Sequence, residues 1–530
     1  MGHPRESTDG SRPALLAFSG LAVLAAGSYL FLGRHWWFYL DEWGFLAGRD
    51  AWSVGDLLRP YNEHWTTLPI VVWRSLWTVF GARSYVPYQV LSVSLHVVVA
   101  ALCRALMRRA AVRPWVATIV AGEFLVFGTG VQNILSAFQI TFTGALAFGF
   151  AQVLLADHEG AWDRRDWLAL AAGALALMCS GVGVAMVAVV GVVTLMRRGT
   201  RVAAGHTLPL AAMYALWFFG YGSSGTRFSG SIGGTLAFTR TGIAATFGAL
   251  GQLAGVGALL AAAMVAGLVF LSRSGDQSAR GPRLALITAL FAGVLVFFIS
   301  AAMGRTSGPT VVDLPTQSRY LYVAAAMLAP VLGVTLDVLL RHTRVLGALA
   351  LALLCLGVPG NLANASTFAR RQAQRVVSSQ SVLLSIGRMP IGAGAPGSLR
   401  PDPVGAPSVT LRWLRTQARD GRIPALDDPT AELLASNRLR LSLMEIDSAS
   451  GRPCPPLVSP VIRHLADGQS MSIGNGAVTV TNLSTRDPAG VVEFGNVLFK
   501  SSQVDHTLVS DLGPLTIRVA PLRSHRAEVC

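Results

Sequence analysis

Asp41 and Glu42 are adjacent carboxylates in "FYLDEWGFLAGRD" (38–50), flanked by Trp36, Trp37, Tyr39 and Trp43 and directly following an apolar run. A carboxylate at that place stands near water and near lipid. It can take a proton from a hydroxyl arriving in water while a second reactant arrives from the bilayer. A partly apolar wall raises a carboxyl pKa toward a useful range. The plainer reading is a solvated loop, because acids prefer solvent. A second polar group follows in "RPYNEHW" (59–65), where Asn62, Glu63 and His64 sit between Tyr61 and Trp65. It is either a turn between two surface helices or a wall of the same site, holding acceptor or phosphate. "GTGVQNILSAFQITFTG" (128–144) offers Gln132, Asn133 and Gln139, amides that bond sugar hydroxyls without charge or equally tie helix ends together. Arg305, Arg319 and Tyr320 fall in outer connections. Arg binds phosphate in a planar fork, and Arg with Tyr also anchors helices at an interface.

These residues are positioned by a very apolar chain. Its 530 residues are 52% hydrophobic and 13% charged, against roughly 25% charged in a soluble domain, and its mean hydropathy is +0.50. The deficit implies several membrane spans of about 20 residues each. Eleven apolar runs fit: 14–33, 85–107, 115–128, 137–156, 167–179, 181–196, 208–222, 242–272, 284–303, 319–340 and 345–358. The stretch 167–196 is broken at "CSGVG" (179–183), 242–272 is long enough for a span plus a surface helix, and Pro359-Gly360 ends the last run. Arg5 and Arg12 precede the first run with no small-residue cleavage site after it, which reads as an uncleaved anchor.

The net charge of +15 comes almost wholly from Arg, Lys500 being the sole lysine. In a polytopic protein this marks cytoplasmic loops rather than nucleic-acid binding. Arg104, Arg108, Arg109 and Arg113, then Arg164 and Arg165, then Arg197, Arg198 and Arg201, then Arg273, Arg280 and Arg283, then Arg341 and Arg344 fall in every second loop. The connections at 128–136 and 180–183 carry no charge. That alternation puts the N-terminal tail (1–13) in the cytoplasm and everything after about residue 360 outside.

Residues 34–84 then form a long external loop. Seven of the twelve Trp lie between 36 and 77, and Trp favours the headgroup level, so the loop is expected to lie on the membrane surface. "SVGD" (53–56) starts one surface helix, and 66–80, with Arg74 near its middle, forms an amphipathic second one. Glu123 and His96, mid-span, are expected to pair structurally. Residues 361–408 read as linker or irregular structure. Residues 409–530 read as a small extracytoplasmic domain, α+β or a β-sandwich, with helical patterns near 409–419 and 429–441 and strands from about 457. Cys103, Cys179 and Cys355 lie in or beside apolar runs, where a small buried hydrophobe is expected. If the C-terminal part is outside, its surroundings allow a Cys454–Cys530 disulfide, which spacing alone does not establish.

No phosphate-binding glycine loop, dinucleotide fingerprint or zinc spacing occurs. Energy from cytosolic ATP therefore has no visible port, and a donor activated in lipid-linked form would avoid that need.

A first span followed at once by an acidic pair and a long external loop with two surface helices resembles the GT-C superfamily of integral-membrane glycosyltransferases. The strings "FYLDEWGFLAGR", "RPYNEHW" and "QNILSAFQITFTGALAFG" are similar to those of bacterial members. The resemblance is clearest over 14–160, looser through 358, and absent from the C-terminal domain. It implies an all-α membrane domain over 14–360 that transfers a sugar from a polyprenyl-phosphate donor to a cell-envelope glycan or protein at the outer face of the plasma membrane. The family's acidic residue falls on Asp41, with Glu42 beside it; Glu63 and His64 would orient the acceptor, and Arg305 or Arg319 hold the phosphate. Many relatives carry a second acid between the third and fourth spans, sometimes with a divalent metal. Here Gln132 stands in that connection, which leaves metal dependence open. The competing class is a non-catalytic envelope transporter, lipid flippase or assembly protein, which would place functional polar groups near the midplane at broken helices.

Overall fold

The computed structural model describes residues 10–437, apart from 50–51, 224–230, 275–276, 304–313, 390–396, 431–432 and 435–436, and beyond them the backbone of nine strands. Arg305, Cys454, Cys530 and most of the helical pattern near 429–441 lie outside the described residues.

Eight described helices are long and apolar enough to cross a membrane: Ser11–Leu32, Val86–Arg109, Ala137–Ala156, Thr200–Gly222, Val256–Arg273, Arg280–Met303, Ser318–His342 and Arg344–Ile386. The chain is a mostly helical, multi-pass membrane protein. Three of the eleven apolar runs become shorter helices, Pro114–Leu125, Arg164–Leu177 and Val182–Arg198. At their lengths they rise roughly 18–26 Å, against a hydrocarbon core of about 30 Å. The run 242–272 is two helices, Ile232–Gly251 and Val256–Arg273.

The region 361–408 corrects the sequence reading. The span Arg344–Ile386 consists of two helices, Arg344–Cys355 and Val358–Ile386, separated by a turn at 356–357, so the first part of 361–408 is not irregular. Pro359 lies in the helix's first turn, where its missing N–H costs nothing, and no Gly or Pro interrupts 361–386. The turn that ends this helix begins at Gly387.

Two compact units are present, one comprising residues 1–35, 52–72 and 86–371, the other 36–51, 73–85 and 372–530. In the first, Ser318–His342 is the central element, buried along nearly its whole length. The arginine-rich connections are joined by carboxylates, of which Asp337 and Asp166 are buried. Asp337 receives Arg113 at 2.7 Å and Arg341 at 2.8 Å. Asp157 receives Arg197 at 2.8 Å, and Asp166 receives Arg198 at 2.5 Å and His206 at 2.9 Å. The expected Glu123–His96 pair is not made. His96 Nδ1 meets the Tyr322 hydroxyl at 2.9 Å and Nε2 the Leu125 carbonyl at 3.0 Å, so both ring nitrogens are used without Glu123.

The second unit is built on an aromatic core. The Phe38 ring, fully buried, contacts Trp37, Trp43, Trp73, Trp77 and Tyr85 with centroids 5.2–5.9 Å away. Trp413 stacks on Trp77 at 5.6 Å, and Trp77 Nε1 donates to Gln417 Oε1 at 2.8 Å. Such ring pairs contribute about 0.5–1.5 kcal/mol each beyond area burial. The tryptophans expected in the headgroup layer are therefore mostly core: Trp36, Trp37, Trp43, Trp73 and Trp77 are all buried, and Trp52 is exposed. Gly81, at φ +55°, lies so close to Arg422 that a Cβ would come within 2.3 Å of its carbonyl oxygen.

Beyond residue 437 the strands are β1 (Met444–Asp447), β2 (Arg463–Ala466), β3 (Ser470–Ile473), β4 (Gly476–Asn482), β5 (Gly490–Phe494), β6 (Val497–Ser501), β7 (His506–Ser510), β8 (Leu515–Val519) and β9 (Arg526–Val529). They pair antiparallel in two sheets, β1-β7-β4-β9-β2 and β3-β8-β5-β6. Val480, for instance, opposes His506 on one side and Val529 on the other.

Candidate active site

The sequence-selected residues divide between the two units. Asp41 and Glu42 open a short helix, Asp41–Leu46, in the second. The preceding Leu40 is held at φ +49°, a region that costs a branched side chain about 1–3 kcal/mol, and its N–H donates to the Gly405 carbonyl at 2.7 Å. Glu42 is buried, and both of its oxygens are engaged. Oε1 accepts from the Tyr85 hydroxyl at 2.5 Å, and Oε2 accepts from the Tyr39 backbone N–H at 2.9 Å. This carboxylate locks the turn. Asp41, its neighbour, is half-buried. Burial pushes the Tyr39 phenol up, with Arg375 pulling it down and Asp402 adding to the rise.

In the first unit, "YNEH" closes as a tight hairpin. Tyr61 and His64 exchange both backbone bonds at 3.0 Å, and Asn62 and Glu63 stand at φ +46° and +69°. Two consecutive positive φ values are the type I′ pattern, which ordinarily selects Asn-Gly. Here the second position is Glu. The hairpin's flanks are fixed by Trp65, whose ring stacks on Trp217 at 5.3 Å with the planes 2° apart. Trp65 Nε1 donates to Thr67 Oγ1 at 2.7 Å, and that hydroxyl donates to the Leu57 carbonyl at 2.7 Å.

Glu63 and His64 face a cavity of about 490 Å³. Its walls are mostly apolar: Phe142, Leu177, Val184, Phe218, Phe219 and Phe297. Tyr320 also lines it, together with Tyr214 and Ser300, which the sequence reading did not select. The size and lining suit a ligand pocket, typically about 300–1,000 Å³ and apolar with a few polar groups. Glu63 makes no hydrogen bond or ion pair among the described residues. Two breaks in regular helix border the cavity. Helix Thr200–Trp217 passes into a π turn, Phe218–Gly222, a local form frequent at functional sites. The turn between Leu177 and Val182 brings Gly181 against His64, where a Cβ would lie 3.1 Å from Nδ1.

Of the side-chain amides in 128–139, that of Asn133 ties helix ends together, while Gln132 does so through its backbone. The Gln132 N–H donates to Ser318 Oγ at 3.2 Å, and Asn133 Nδ2 donates to the Arg319 carbonyl at 3.4 Å. Asn133 and Gln139 are buried. The Arg319 guanidinium lies 5.2 Å from the Tyr320 ring centroid.

Among the described residues, one group has the donors for a metal: His158, Asp163 and Asp166. It does not fit a resident cation. Asp166 already binds Arg198 and His206, and Asp163 binds Arg165 at 2.9 Å, so two guanidinium groups hold these carboxylates.

No protein-family model and no curated protein sequence matches this chain. Its fold is similar to that of a solved structure described as the crystal structure of ArnT from Cupriavidus metallidurans bound to undecaprenyl phosphate, with 14% sequence identity, 78% of this chain and 89% of that chain covered, and a TM-score of 0.46.

Proposed function

We propose that the protein is a membrane glycosyltransferase that moves a sugar from a polyprenyl-phosphate donor to a cell-envelope acceptor on the outer face of the plasma membrane. The observation that carries this reading is the apolar cavity with one polar turn built into its wall. Phe142, Phe218, Phe219 and Phe297 offer the surface an isoprenoid chain would bury, and Glu63 and His64 offer hydrogen bonds to a hydroxyl-bearing group beside it. A Glu held at φ +69° costs stability, which is understandable where the side chain has work in the cavity.

In this reading Asp41 is the general base. It takes the acceptor hydroxyl proton as that oxygen bonds to the donor's anomeric carbon, and the polyprenyl phosphate leaves with the electrons of the broken carbon–oxygen bond. Glu42 holds the helix start that presents Asp41. Glu63 and His64 orient the acceptor, Tyr320 adds a hydroxyl, and Arg319, with Arg305, supplies positive charge for the phosphate. A cytoplasmic N-terminus and an outward C-terminal domain follow from the alternation of arginine-rich loops.

The test is the lipid-linked sugar that accumulates when the gene is deleted. Wild-type protein should clear it. Asp41→Asn should not, although the variant purifies and melts normally in detergent. Clearance by Asp41→Asn would overturn the assignment, and no accumulating lipid-linked sugar in the deletion would overturn the function.

A further inference from the structure

A second cavity in the first unit, of about 330 Å³, has a different chemistry. It is lined by Thr129, Ser318, Asn364, Thr367, Phe368 and Arg371, among others, and no Asp or Glu is among its lining residues. Asn364, Thr367, Phe368 and Arg371 stand three, four and seven residues apart on helix Val358–Ile386, which places them along one face. A face that only packed against apolar helices would be apolar.

Two of the lining residues, Thr129 and Asn364, belong to a network of uncharged groups that continues behind them. Gln252 Nε2 donates to Thr129 Oγ1 at 2.8 Å and to Asn361 Oδ1 at 3.2 Å. Asn364 Nδ2 donates to Gln252 Oε1 at 3.0 Å and to Thr129 Oγ1 at 3.2 Å. Asn361 Oδ1 also accepts the Thr129 N–H at 2.9 Å. Gln252 itself follows helix Ile232–Gly251 at φ +61°, a position where glycine is the unstrained choice. The side chain that is kept there at a conformational cost fixes the orientation of Thr129 and Asn364 in advance.

Fixed hydroxyl and amide groups beside an aromatic ring match the hydroxyls and C–H face of a sugar. Arg371 makes no ion pair among the described residues, and a guanidinium at the edge of a neutral pocket selects a carboxylate or phosphate substituent. Ser318 lines this cavity and Tyr320 lines the apolar one. Two residues apart on a helix point about 200° apart, so the cavities flank opposite sides of the first turn of Ser318–His342. We propose that the second cavity is a docking subsite for an acidic saccharide, holding a part of the acceptor glycan away from its reacting hydroxyl. The ligand's role as acceptor rests on the glycosyltransferase reading; its binding does not.

The test uses full-length protein in detergent and saturation-transfer NMR with glucuronate and glucose as probes. Glucuronate should receive saturation from the protein more strongly than glucose. Arg371→Gln should remove that preference, weakening glucuronate roughly tenfold, and Asn364→Leu should abolish both signals. Both side chains are exposed, so Arg371→Gln should leave melting unchanged, and Asn364→Leu, which gives up two exposed hydrogen bonds, should lower it only slightly. No saturation of either sugar, equal saturation of both, or signals unaffected by the Asn364 and Arg371 variants would each overturn the proposal.

Discussion

Two adjacent acids, Asp41 and Glu42, have opposite predicted responses to substitution. Glu42 is buried and accepts from two donors, the Tyr85 hydroxyl at 2.5 Å and the Tyr39 N–H at 2.9 Å. Glu42→Ala orphans both, at roughly 1–3 kcal/mol for each, so a loss of about 3 kcal/mol is expected. Glu42→Gln keeps one acceptor and turns an amide N–H toward the other donor, and should lose about 2 kcal/mol. Tyr85→Phe removes one donor, and the Glu42→Gln/Tyr85→Phe cycle should show a coupling of about 1–2 kcal/mol. Asp41→Asn should change stability by less than about 0.5 kcal/mol and lower transfer by roughly 10²–10⁴-fold. Tryptophan fluorescence melts in detergent read the first set directly, because Trp43, Trp77 and Trp413 form mutual ring contacts in the same unit. Clearance of the accumulated lipid-linked sugar reads the second. The reasoning is refuted if Glu42→Ala melts like wild type while losing transfer, for then Glu42 carries the chemistry and Asp41 is its support.

Further outcomes follow from single contacts. Glu63→Gly should stabilise the protein by about 1 kcal/mol, because φ +69° suits glycine, yet weaken acceptor use; a stability loss on melting would count against the strained turn. Gly181→Ala should shift His64, whose Nδ1 would lie 3.1 Å from the new Cβ, and reduce transfer by about tenfold or more with little change in melting. Gly81→Ala, forced against the Arg422 carbonyl oxygen, should cost roughly 1–3 kcal/mol, read as a lower melting temperature. Burial pushes the Asp166 carboxyl up, but hydrogen bonds from Arg198, the Asp163 amide and His206 outweigh this and hold it well below the ordinary range. Its stabilisation is therefore complete above about pH 4 and fades as pH falls further. Asp166→Ala should cost about 3–5 kcal/mol near neutrality and flatten the acid limb of the melting profile.

Local signals were legible where one residue decides the outcome. Ser53 caps its helix as the "SVGD" string implies, accepting from the Asp56 N–H at 3.2 Å. The polar turn in "RPYNEHW" is where it was expected, but its type was not readable, since Asn-Glu lacks the glycine that marks a type I′ hairpin. Tertiary partners were the larger gap. A tryptophan-rich loop fits a membrane interface or an aromatic core equally well until Trp413 and Gln417 are brought in, and Gln417 is 340 residues from Trp77. His96 and Glu123 invited each other by burial and charge, yet His96 is satisfied by Tyr322, 226 residues away. The helix over 361–386 escaped notice because its polar composition resembles a linker and Pro359 reads as a stop. The cavity's aromatic wall was invisible for a related reason: Phe142, Phe218 and Phe297 look like any other apolar residues in apolar helices.

The break at Cys179–Gly183 was the strongest sequence argument for a carrier, because transporters place binding groups at interrupted helices. Its surroundings suggest another use. The Leu68 N–H donates to the Met178 carbonyl at 3.2 Å, a group left open where helix Arg164–Leu177 ends, and Gly181 leaves room for the His64 ring. The interruption thus receives the segment that follows the hairpin and seats its one imidazole. A helix continuous through 177–182 would offer no such carbonyl, and a side chain at 181 would press on the ring. In this structure the interruption is a socket for a side chain in the wall of the apolar cavity, and under the proposed function it would set the imidazole beside a lipid-borne donor.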